Sequence, residues 1–416
     1  MIAADLVIRE IAELATPLGR TPATGSDLGR LSILQDAAVA CAGEDIVFVG
    51  PERDLDQAVE LRPGGVTVDA GGGTVLPGFV DAHTHLPFAG WREREFDERL
   101  RGATYSEIAA RGGGILATVE RTRATRLSDL TSQVLQRLDA MLALGTTTVE
   151  AKSGYGLSYA DELKQLLALR DAAAVHPVRV VPTFLGAHTV PAEFRARREE
   201  YVALLVDRLL PEVARQKLAS FADAFVDAHA FRIDEARRVL TAAREHGLGV
   251  RIHADQLADD GAASLAAELG AASADHLEYA SREGIAALAR AGTCGVLLPA
   301  ATFFLMMDVK PPARALIEAG VPVVVATDFN PGSCPTESMT AALWCACLLA
   351  RLTVDEAITA STLNAAYALG LADRVGSLEP GKRADLVVHD VPNRYHLVYR
   401  FGVPRVSKVV AGGKLR

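Results

Sequence analysis

The sequence of 416 residues predicts an α/β protein, in which a TIM-type (β/α)8 barrel carries a small β-sandwich domain built from both chain ends. Three observations support this fold class. Strand-like apolar segments alternate with amphipathic helical segments across residues 76–372, which is typical of a parallel sheet covered by helices. The flanking residues, 1–75 and 373–416, show only β-like patterns. The total length suits one large barrel with a smaller module.

The two chain ends are predicted to form one composite β domain. Short apolar segments, separated by turns rich in glycine and proline, are predicted as strands at 5–8, 45–50, 66–69, 384–389 and 406–410. Residues 17–29 are predicted as a loop, and no helix is predicted before residue 74. Neither end is long enough to build a good core alone, so we expect the two ends to pair.

The central part of the chain contains eight candidate barrel strands. They lie at 77–85, 147–150, 179–184, 224–227, 250–253, 273–276, 295–298 and 323–328. The helices between them show as apolar stripes at helical spacing, one of which is Leu130, Val134, Leu138 and Met141. Ser158 is a predicted N-cap, and Gly292 is a predicted left-handed helix end.

Composition excludes several classes of protein. The chain is 50% hydrophobic with a mean hydropathy of +0.17, which is enough for a sizeable core. A net charge of −9 argues against nucleic acid as the main partner. The five cysteines contain no Cys-x-x-Cys pair, so neither a disulfide framework nor a thiolate zinc site is expected. With no signal peptide and no apolar run of membrane-spanning length, we expect a soluble protein of a reducing compartment, without a membrane partner.

The first candidate metal ligands are His83 and His85. Side chains alternate along a strand, so these two imidazoles point to the same face and suit a single metal ion. Two surface histidines near a turn are the less favoured alternative, which stays open because a lone His-x-His pair is a weak signal. The decision therefore depends on whether further ligands occur elsewhere in the chain.

Three further residues lie at the ends of predicted barrel strands, where the reactive groups of such barrels lie. His253 ends the fifth strand, His276 the sixth, and Asp328 the eighth. Each alone is most simply a hydrogen-bonded structural residue. Together with the first-strand pair, His253 and Asp328 place three imidazoles and a carboxylate at the barrel mouth, which suits a mononuclear site that still holds water.

With its His83-x-His85 pair and these three strand-end residues, the sequence resembles the amidohydrolase superfamily of metal-dependent hydrolases. The tail segments 362–366 and 376–386 are typical of it too. Within the superfamily, the segments 81–86, 92–96, 112–115, KSGYGL at 152–157, TFLGAH at 183–188 and TDFNPGS at 327–333 resemble the members that open an imidazolone ring in histidine breakdown. The resemblance runs from about residue 70 to the C-terminus.

The resemblance implies a cytoplasmic enzyme that hydrolyses 4-imidazolone-5-propanoate, a small anionic substrate, to N-formimidoyl-L-glutamate. It implies one divalent metal ion per chain, zinc or iron, held by His83, His85, His253 and Asp328. It also implies substrate contacts from Arg92, Tyr155, His188, Gln256, Asn330, Gly332 and Ser333.

The chemistry of these residue types agrees with that reaction. Opening a cyclic amide needs an activated water and a stabilised oxyanion, and a metal ion serves both needs. We expect Asp328 to take a proton from the water, and His276 to orient the water or stabilise the developing charge. Arg92 offers two donors to a propionate carboxylate. Without the resemblance, Arg92 is interpreted equally well as a solvated charge in the run 92–95.

Three residues need separate interpretation. Lys152 is of the residue type that, when carboxylated, bridges two metals in some amidohydrolases. Those relatives carry it at the end of the fourth strand, whereas Lys152 ends the second, so we interpret it as structural or as supporting the ligands. His229 follows the fourth strand and is interpreted as a loop histidine rather than a ligand of a second metal. Gln256 stands where many relatives carry a proton-shuttling Glu; its amide cannot titrate, so it is expected to act through hydrogen bonds alone.

Alternative functions stay open at this stage. Another cyclic-amide hydrolase, or a deaminase, would use the same barrel and metal site, because specificity lies in the pocket. A non-catalytic relative that kept the barrel for assembly is disfavoured by the intact ligand set. A homodimer is compatible with the sequence, which determines neither the oligomeric state nor the choice between zinc and iron.

Overall fold

The structure is a computed structural model that describes residues 1–103, 107–108, 111–228 and 230–416. It contains two sheets, one of seven strands and one of eight. In chain order the strands are β1 (Ile2–Thr16), β2 (Ser32–Ala42), β3 (Asp45–Pro51), β4 (Val59–Pro77), β5 (Phe79–Asp81), β6 (Thr146–Lys152), β7 (Arg179–Ala187), β8 (Phe221–Phe225), β9 (Gly249–Ala254), β10 (Ser273–His276), β11 (Cys294–Leu297), β12 (Val323–Val325), β13 (Leu386–His389), β14 (Val406–Ala411) and β15 (Lys414–Leu415).

The seven-stranded sheet is built from both ends of the chain. Its strand order is β15-β14-β13-β4-β1-β2-β3, so strands from the C-terminal end pair directly with β4 from the N-terminal end. β1 and β4 run parallel, and their neighbours run antiparallel. This sheet has a buried core of its own, which includes Ile8, Leu14, Val39 and Val388. The expected contribution of both ends to one β domain is confirmed.

Two details of the N-terminal segment differ from the sequence-based expectation. A seven-residue helix, Glu52–Ala58, lies where no helix was expected; Glu52 and Asp54 in its first turn are favourable there, but so short a segment gives little periodic signal. β2 was not predicted as a strand. Its buried part is rich in alanine, a residue with weak strand preference, so its strand form depends on pairing with β1 and β3.

The eight-stranded sheet is the barrel. Its strands β5 to β12 follow each other in chain order, and each runs parallel to the next. The last strand returns to the first through two backbone hydrogen bonds just beyond their ends. Asp328 N–H donates to the His83 carbonyl at 3.0 Å, and His85 N–H donates to the Phe329 carbonyl at 2.9 Å. The predicted (β/α)8 barrel is confirmed, with the eight strands close to their expected positions.

Helices cover the outside of the barrel. In the described part of the chain, the α-helices after β4 are Glu93–Leu100, Ile115–Ala124, Leu127–Ala143, Tyr159–Ala173, Arg198–Leu204, Leu210–Arg215, Ile233–Glu245, Ala262–Glu268, Arg282–Ala291, Pro299–Phe304, Ala313–Glu318, Met339–Leu349, Val354–Ala360, Leu363–Ala368 and His396–Tyr399. A π-helical turn, Leu205–Leu209, links two of them, and 3-10 turns occur at Gly25–Gly29 and Ala192–Phe194.

The predicted helix signals correspond to observed contacts. The stripe from Leu130 to Met141 is fully buried against the barrel. The Ser158 hydroxyl accepts a hydrogen bond from the Asp161 backbone N–H at 3.1 Å, which caps the helix as expected. Gly292 ends its helix in the left-handed region with φ of +70°. Among the described residues, none of the helices is both long and apolar enough to cross a membrane.

Candidate metal and substrate site

Five polar side chains meet at the C-terminal ends of the barrel strands, and we call them the strand-end cluster. The cluster consists of His83, His85, His253, His276 and Asp328. Each residue is at most 3% exposed, although all five are polar. Histidines and carboxylates are rarely buried together without a partner or a metal, so this burial itself indicates a specific site.

The cluster is compact enough to hold one ion. Asp328 Oδ1 lies 3.6 Å from His83 Nε2 and 3.5 Å from His85 Nε2, and the rings of His83 and His253 are 4.6 Å apart. His83 belongs to two sets of three residues whose donor atoms all lie within 4.8 Å of one another. One set is His83, His85 and His253, and the other is His83, His276 and Asp328.

The hydrogen bonds of the cluster leave nitrogen atoms available to a metal. The Nδ1 atom of His83 lies 2.6 Å from Asp275 Oδ2, while its buried Nε2 has no hydrogen-bond partner among the described residues. Burial lowers the pKa of His83 and His85 well below the usual value, and charge on neighbouring groups adds to this. Burial also lowers the pKa of His276, to about 3, against the opposing effect of Asp328. Neutral imidazole is the form that binds metal, so the donor set fits a transition-metal ion.

Two cluster residues have strained backbones. Asp328 has φ of +60° and His276 has φ of +81°, and neither is a glycine. This region is rarely populated by residues with a Cβ, and such strain persists only where the surrounding structure enforces it. Here the strained residues are those that turn the chain at the barrel mouth and direct polar side chains into it.

The loop after the eighth strand is held by the Asn330 side chain. Its amide donates to the Asp328 carbonyl and to Ser333 Oγ, both at 2.6 Å, and its oxygen accepts from the N–H groups of Gly332 and Ser333, both at 2.8 Å. Ser333 Oγ in turn donates to Asp328 Oδ2 at 3.2 Å. Of the three substrate-contact candidates on this loop, Asn330 therefore shapes the loop, and Ser333 adjoins the cluster.

Arg92 lies against the same loop. Its guanidinium covers Gly332 so closely that a Cβ at that position would overlap it, which explains the glycine. The Arg92 side chain is 8% exposed, its Nε lies 3.7 Å from Glu95 Oε2, and its buried Nε and one terminal nitrogen have no hydrogen-bond partner in the described part of the chain. The interpretation of Arg92 as a solvated charge is therefore wrong.

Arg92 also lines a cavity of about 490 Å³ at the barrel mouth. Its other walls are mainly apolar and aromatic, and they include Trp91, Phe96, Phe304 and Pro331. An almost buried cation beside an apolar cavity is suited to an anionic group on a small organic molecule.

Two of the other predicted substrate contacts lie beside the histidines. The His188 ring stacks on His85 with centroids 5.4 Å apart, and the Tyr155 ring lies 5.3 Å from His188. His188 Nδ1 donates to the Gly154 carbonyl at 2.9 Å, which leaves Nε2 as an acceptor. Gln256 is half-buried on the segment that follows β9, three residues after His253.

The structure places Lys152 behind the cluster and not in it. Its Nζ lies 2.7 Å from Glu150 Oε1 and 2.8 Å from Asp223 Oδ2, in agreement with the interpretation of this lysine as structural or supporting. The other residue that was weighed as a second-metal ligand, His229, lies outside the described residues.

Sequence reasoning missed the carboxylates that support the cluster. Asp275 and Asp223 contact the ring nitrogens of His83 and His253, at 2.6 and 3.0 Å. Glu278, two residues after His276, is buried, accepts a hydrogen bond from Thr302 Oγ1 at 2.7 Å, and has its pKa raised by burial to about 7. A signal was available for Asp223 and Asp275, since acidic residues inside barrel strands need a buried partner.

Comparison with known proteins agrees with this geometry. The amidohydrolase family matches residues 74–416. A protein named imidazolonepropionase from Symbiobacterium thermophilum is 51% identical over 412 residues, covering 99% of this chain and 97% of the relative. Proteins of the same name from Geobacillus kaustophilus and Rubrobacter xylanophilus are 48% and 47% identical, each over at least 97% of both chains.

Solved structures share the fold at lower identity. An adenosine deaminase from Xanthomonas campestris with bound zinc superimposes with a TM-score of 0.72 at 23% identity, covering 100% of this chain and 93% of that one. A triazine hydrolase variant superimposes with a TM-score of 0.74 at 20% identity, covering 99% and 94%. These structures support the fold only, whereas the full-length sequence matches above 45% identity identify the family. The chain belongs to the imidazolonepropionase family of the amidohydrolases.

Proposed function

We propose that the protein hydrolyses 4-imidazolone-5-propanoate to N-formimidoyl-L-glutamate, a step of histidine degradation. In this reaction water adds to the ring carbonyl carbon, the ring C–N bond breaks, and a carboxylate forms beside the formimidoyl group. The observation that carries the proposal is that one loop, the loop after the eighth strand, contacts both the strand-end cluster and Arg92. Ser333 on that loop contacts Asp328 of the strand-end cluster, and neighbouring Gly332 packs against Arg92.

Arg92 is proposed to bind the propionate carboxylate. The cavity beside it has room for a five-membered ring with a short chain, and its aromatic walls suit the apolar part of that chain. Tyr155, His188 and Gln256 are proposed to contact the ring, and Gly332 and Ser333 to complete the loop side of the pocket. Asn330, whose side chain is engaged within the loop, is proposed to contribute mainly by shaping it.

The proposed metal ligands are His83, His85, His253 and Asp328, with one divalent ion per chain, zinc or iron. The support is their burial, the unpartnered Nε2 of His83 and the short separations within the cluster. A bound ion of this type lowers the pKa of water and polarises a carbonyl. Asp328 is proposed to accept the proton of the attacking water, and His276 to orient that water and stabilise developing charge.

We expect protein purified without added metal to carry about one equivalent of a transition metal per chain. A single closed ligand set accounts for one ion, and Lys152 is already engaged by carboxylates and so is not free to bridge two. Elemental analysis measures the content. Two tightly bound ions per chain would contradict the mononuclear site.

Gln256→Glu is expected to retain the metal and substantial activity. The two side chains are nearly isosteric, and the wild-type amide offers a donor and an acceptor to the ring but no proton at pH 7. The new carboxylate is expected to shift the pH profile of kcat through its charge near Asp328. Kinetics across pH, with metal content measured in parallel, test this. Abolished activity at full metal occupancy would show that the amide itself is essential.

The direct test of the proposed function is to supply freshly prepared 4-imidazolone-5-propanoate and to look for N-formimidoyl-L-glutamate. A protein that leaves this substrate intact, but releases ammonia from an aminopurine or opens another cyclic amide, would support the alternative functions on the same barrel. A fully metallated protein without turnover on any of these would support a non-catalytic role.

We also propose a cytoplasmic location and a homodimer. The five cysteines are free, which suits a reducing compartment. Large apolar side chains are exposed on the neighbouring helices Pro299–Phe304, Met339–Leu349 and His396–Tyr399 and just after the last of them, namely Phe303, Leu348, Tyr399 and Phe401. An exposed apolar surface of this kind is typical of an interface, and light scattering on the purified protein measures the oligomeric state.

A further inference from the structure

Five charged side chains form a buried layer directly beneath the strand-end cluster. They come from four barrel strands, and each is 0 to 1% exposed: Glu150 and Lys152 on β6, Asp223 on β8, Arg251 on β9 and Asp275 on β10. Burial of so many charges is costly unless they are paired and hydrogen-bonded. Such a layer therefore calls for a functional reason.

Lys152 is the centre of this layer. Its Nζ lies 2.7 Å from Glu150 Oε1, 2.8 Å from Asp223 Oδ2 and 3.8 Å from Asp275 Oδ2. Burial alone would lower the pKa of Lys152, but the nearby Asp223 and Glu150 outweigh it and raise the pKa above its usual value. The lysine is thus a permanent cation surrounded by three carboxylates.

Each of these three carboxylates also contacts either a proposed metal ligand or the backbone between two of them. Asp275 Oδ2 lies 2.6 Å from His83 Nδ1, and Asp223 Oδ2 lies 3.0 Å from His253 Nδ1. Glu150 Oε2 accepts a hydrogen bond from the backbone N–H of Thr84, the residue between His83 and His85, at 3.3 Å. The Lys152 ammonium is therefore separated by a single carboxylate from two of the four proposed ligands, His83 and His253, and by Glu150 from the backbone between His83 and His85.

The formal charges of the layer point in the same direction. Glu150, Asp223 and Asp275 carry three negative charges, against the two positive charges of Lys152 and Arg251. With Asp328 the excess is two negative charges, which a divalent ion would neutralise. Carboxylates behind ligand imidazoles fix the tautomer and the ring orientation, and their loss typically weakens metal binding 10- to 100-fold.

We propose that Lys152 is a positioning residue for the metal site, which holds Asp223 and Asp275 so that His253 and His83 present Nε2 to the ion. The inference rests on the proposed metal site and goes beyond it, because it assigns a role to a residue that touches neither the ion nor the substrate. A role of Lys152 as a bridging ligand is inconsistent with its contacts, since its ammonium is engaged by Glu150 and Asp223.

The test compares Lys152→Met with Lys382→Met, starting from the zinc-loaded protein. Lys382 is a matched control because it is also buried, at 3% exposure, but its Nζ donates to the carbonyls of Gly19 and Ala372, far along the chain from the cluster. The readouts are the zinc dissociation constant, from competition with a chelator, and the urea midpoint of unfolding. Both variants are expected to unfold at lower urea. Only Lys152→Met is expected to bind zinc more weakly, by about 10- to 100-fold.

A zinc dissociation constant in Lys152→Met within twofold of wild type, together with a lowered urea midpoint, would overturn the inference, because the lysine would then serve only the fold. If Lys152→Met does not fold, Asp223→Asn takes its place. It keeps the lysine, removes one carboxylate behind His253, and is expected to weaken zinc binding at least 10-fold; unchanged binding there overturns the inference too. Wild-type protein that holds no ion would contradict the proposed function itself, whereas wild-type-like binding in the variants contradicts this inference alone.

Discussion

Replacing His276 with asparagine is expected to lower kcat by about 100-fold or more while the protein keeps its metal. His276 is almost fully buried, and its donor atom lies within 4.8 Å of donor atoms on His83 and Asp328. Asparagine can keep a hydrogen bond at this position, but it lacks the ring nitrogens that orient water and share charge with Asp328. Steady-state kinetics and elemental analysis of the same preparation measure the two effects.

The matched control for this variant is His246→Asn. His246 is exposed at the end of the helix Ile233–Glu245, so its loss is expected to leave kcat unchanged. If His276→Asn loses its metal along with its activity, His276 acts as a ligand with His83 and Asp328. If His276→Asn is fully metallated and turns over normally, proton transfer depends on Asp328 without His276.

Replacing Arg92 with alanine is expected to reduce kcat/KM by a factor that corresponds to about 2–4 kcal/mol. The guanidinium is almost buried and has nitrogen atoms without hydrogen-bond partners among the described residues, so the substrate carboxylate is expected to satisfy them. Arg92→Lys is expected to recover only part of the loss, because an ammonium lacks the planar fork that binds a carboxylate through two donors.

Arg94→Ala serves as the control for Arg92, since Arg94 lies two residues further on and is exposed. It should leave kcat/KM within about twofold of wild type, as expected for a solvent-screened charge. An Arg92→Ala variant with the same kinetics as this control would remove Arg92 from the substrate site. If Arg92→Ala is also less active than wild type on a substrate analogue without the carboxylate, Arg92 acts through the loop instead.

Much of the architecture could be predicted because strand ends in a barrel share one face. Once eight strands had been counted, His253, His276 and Asp328 followed as neighbours of His83, although they are up to 245 residues apart in sequence. That reasoning needs only the order of the strands and no knowledge of side-chain packing. It could therefore identify the residues at the barrel mouth from the sequence.

The supporting layer was harder to predict because its meaning depends on contacts across strands. Glu150 and Asp223 are each the single acidic residue of their strand, and nothing local tells which cation or imidazole faces them. The same holds for Arg92, which sequence alone could not separate from the exposed Arg94. The alanine-rich β2 and the short helix Glu52–Ala58 were missed because their conformation comes from neighbouring strands rather than from their own periodicity.

The closure of the barrel at Asp328 and His83 has a consequence for how the protein is made. During synthesis the first-strand histidines leave the ribosome long before the eighth-strand carboxylate, and the two are joined only by the last pairing of the barrel. Bringing such distant segments together carries a large loop-closure entropy that a partly synthesised chain cannot yet offset. The complete set of proposed ligands therefore exists only in a finished barrel, and a nascent or truncated chain that ends before the eighth strand lacks Asp328.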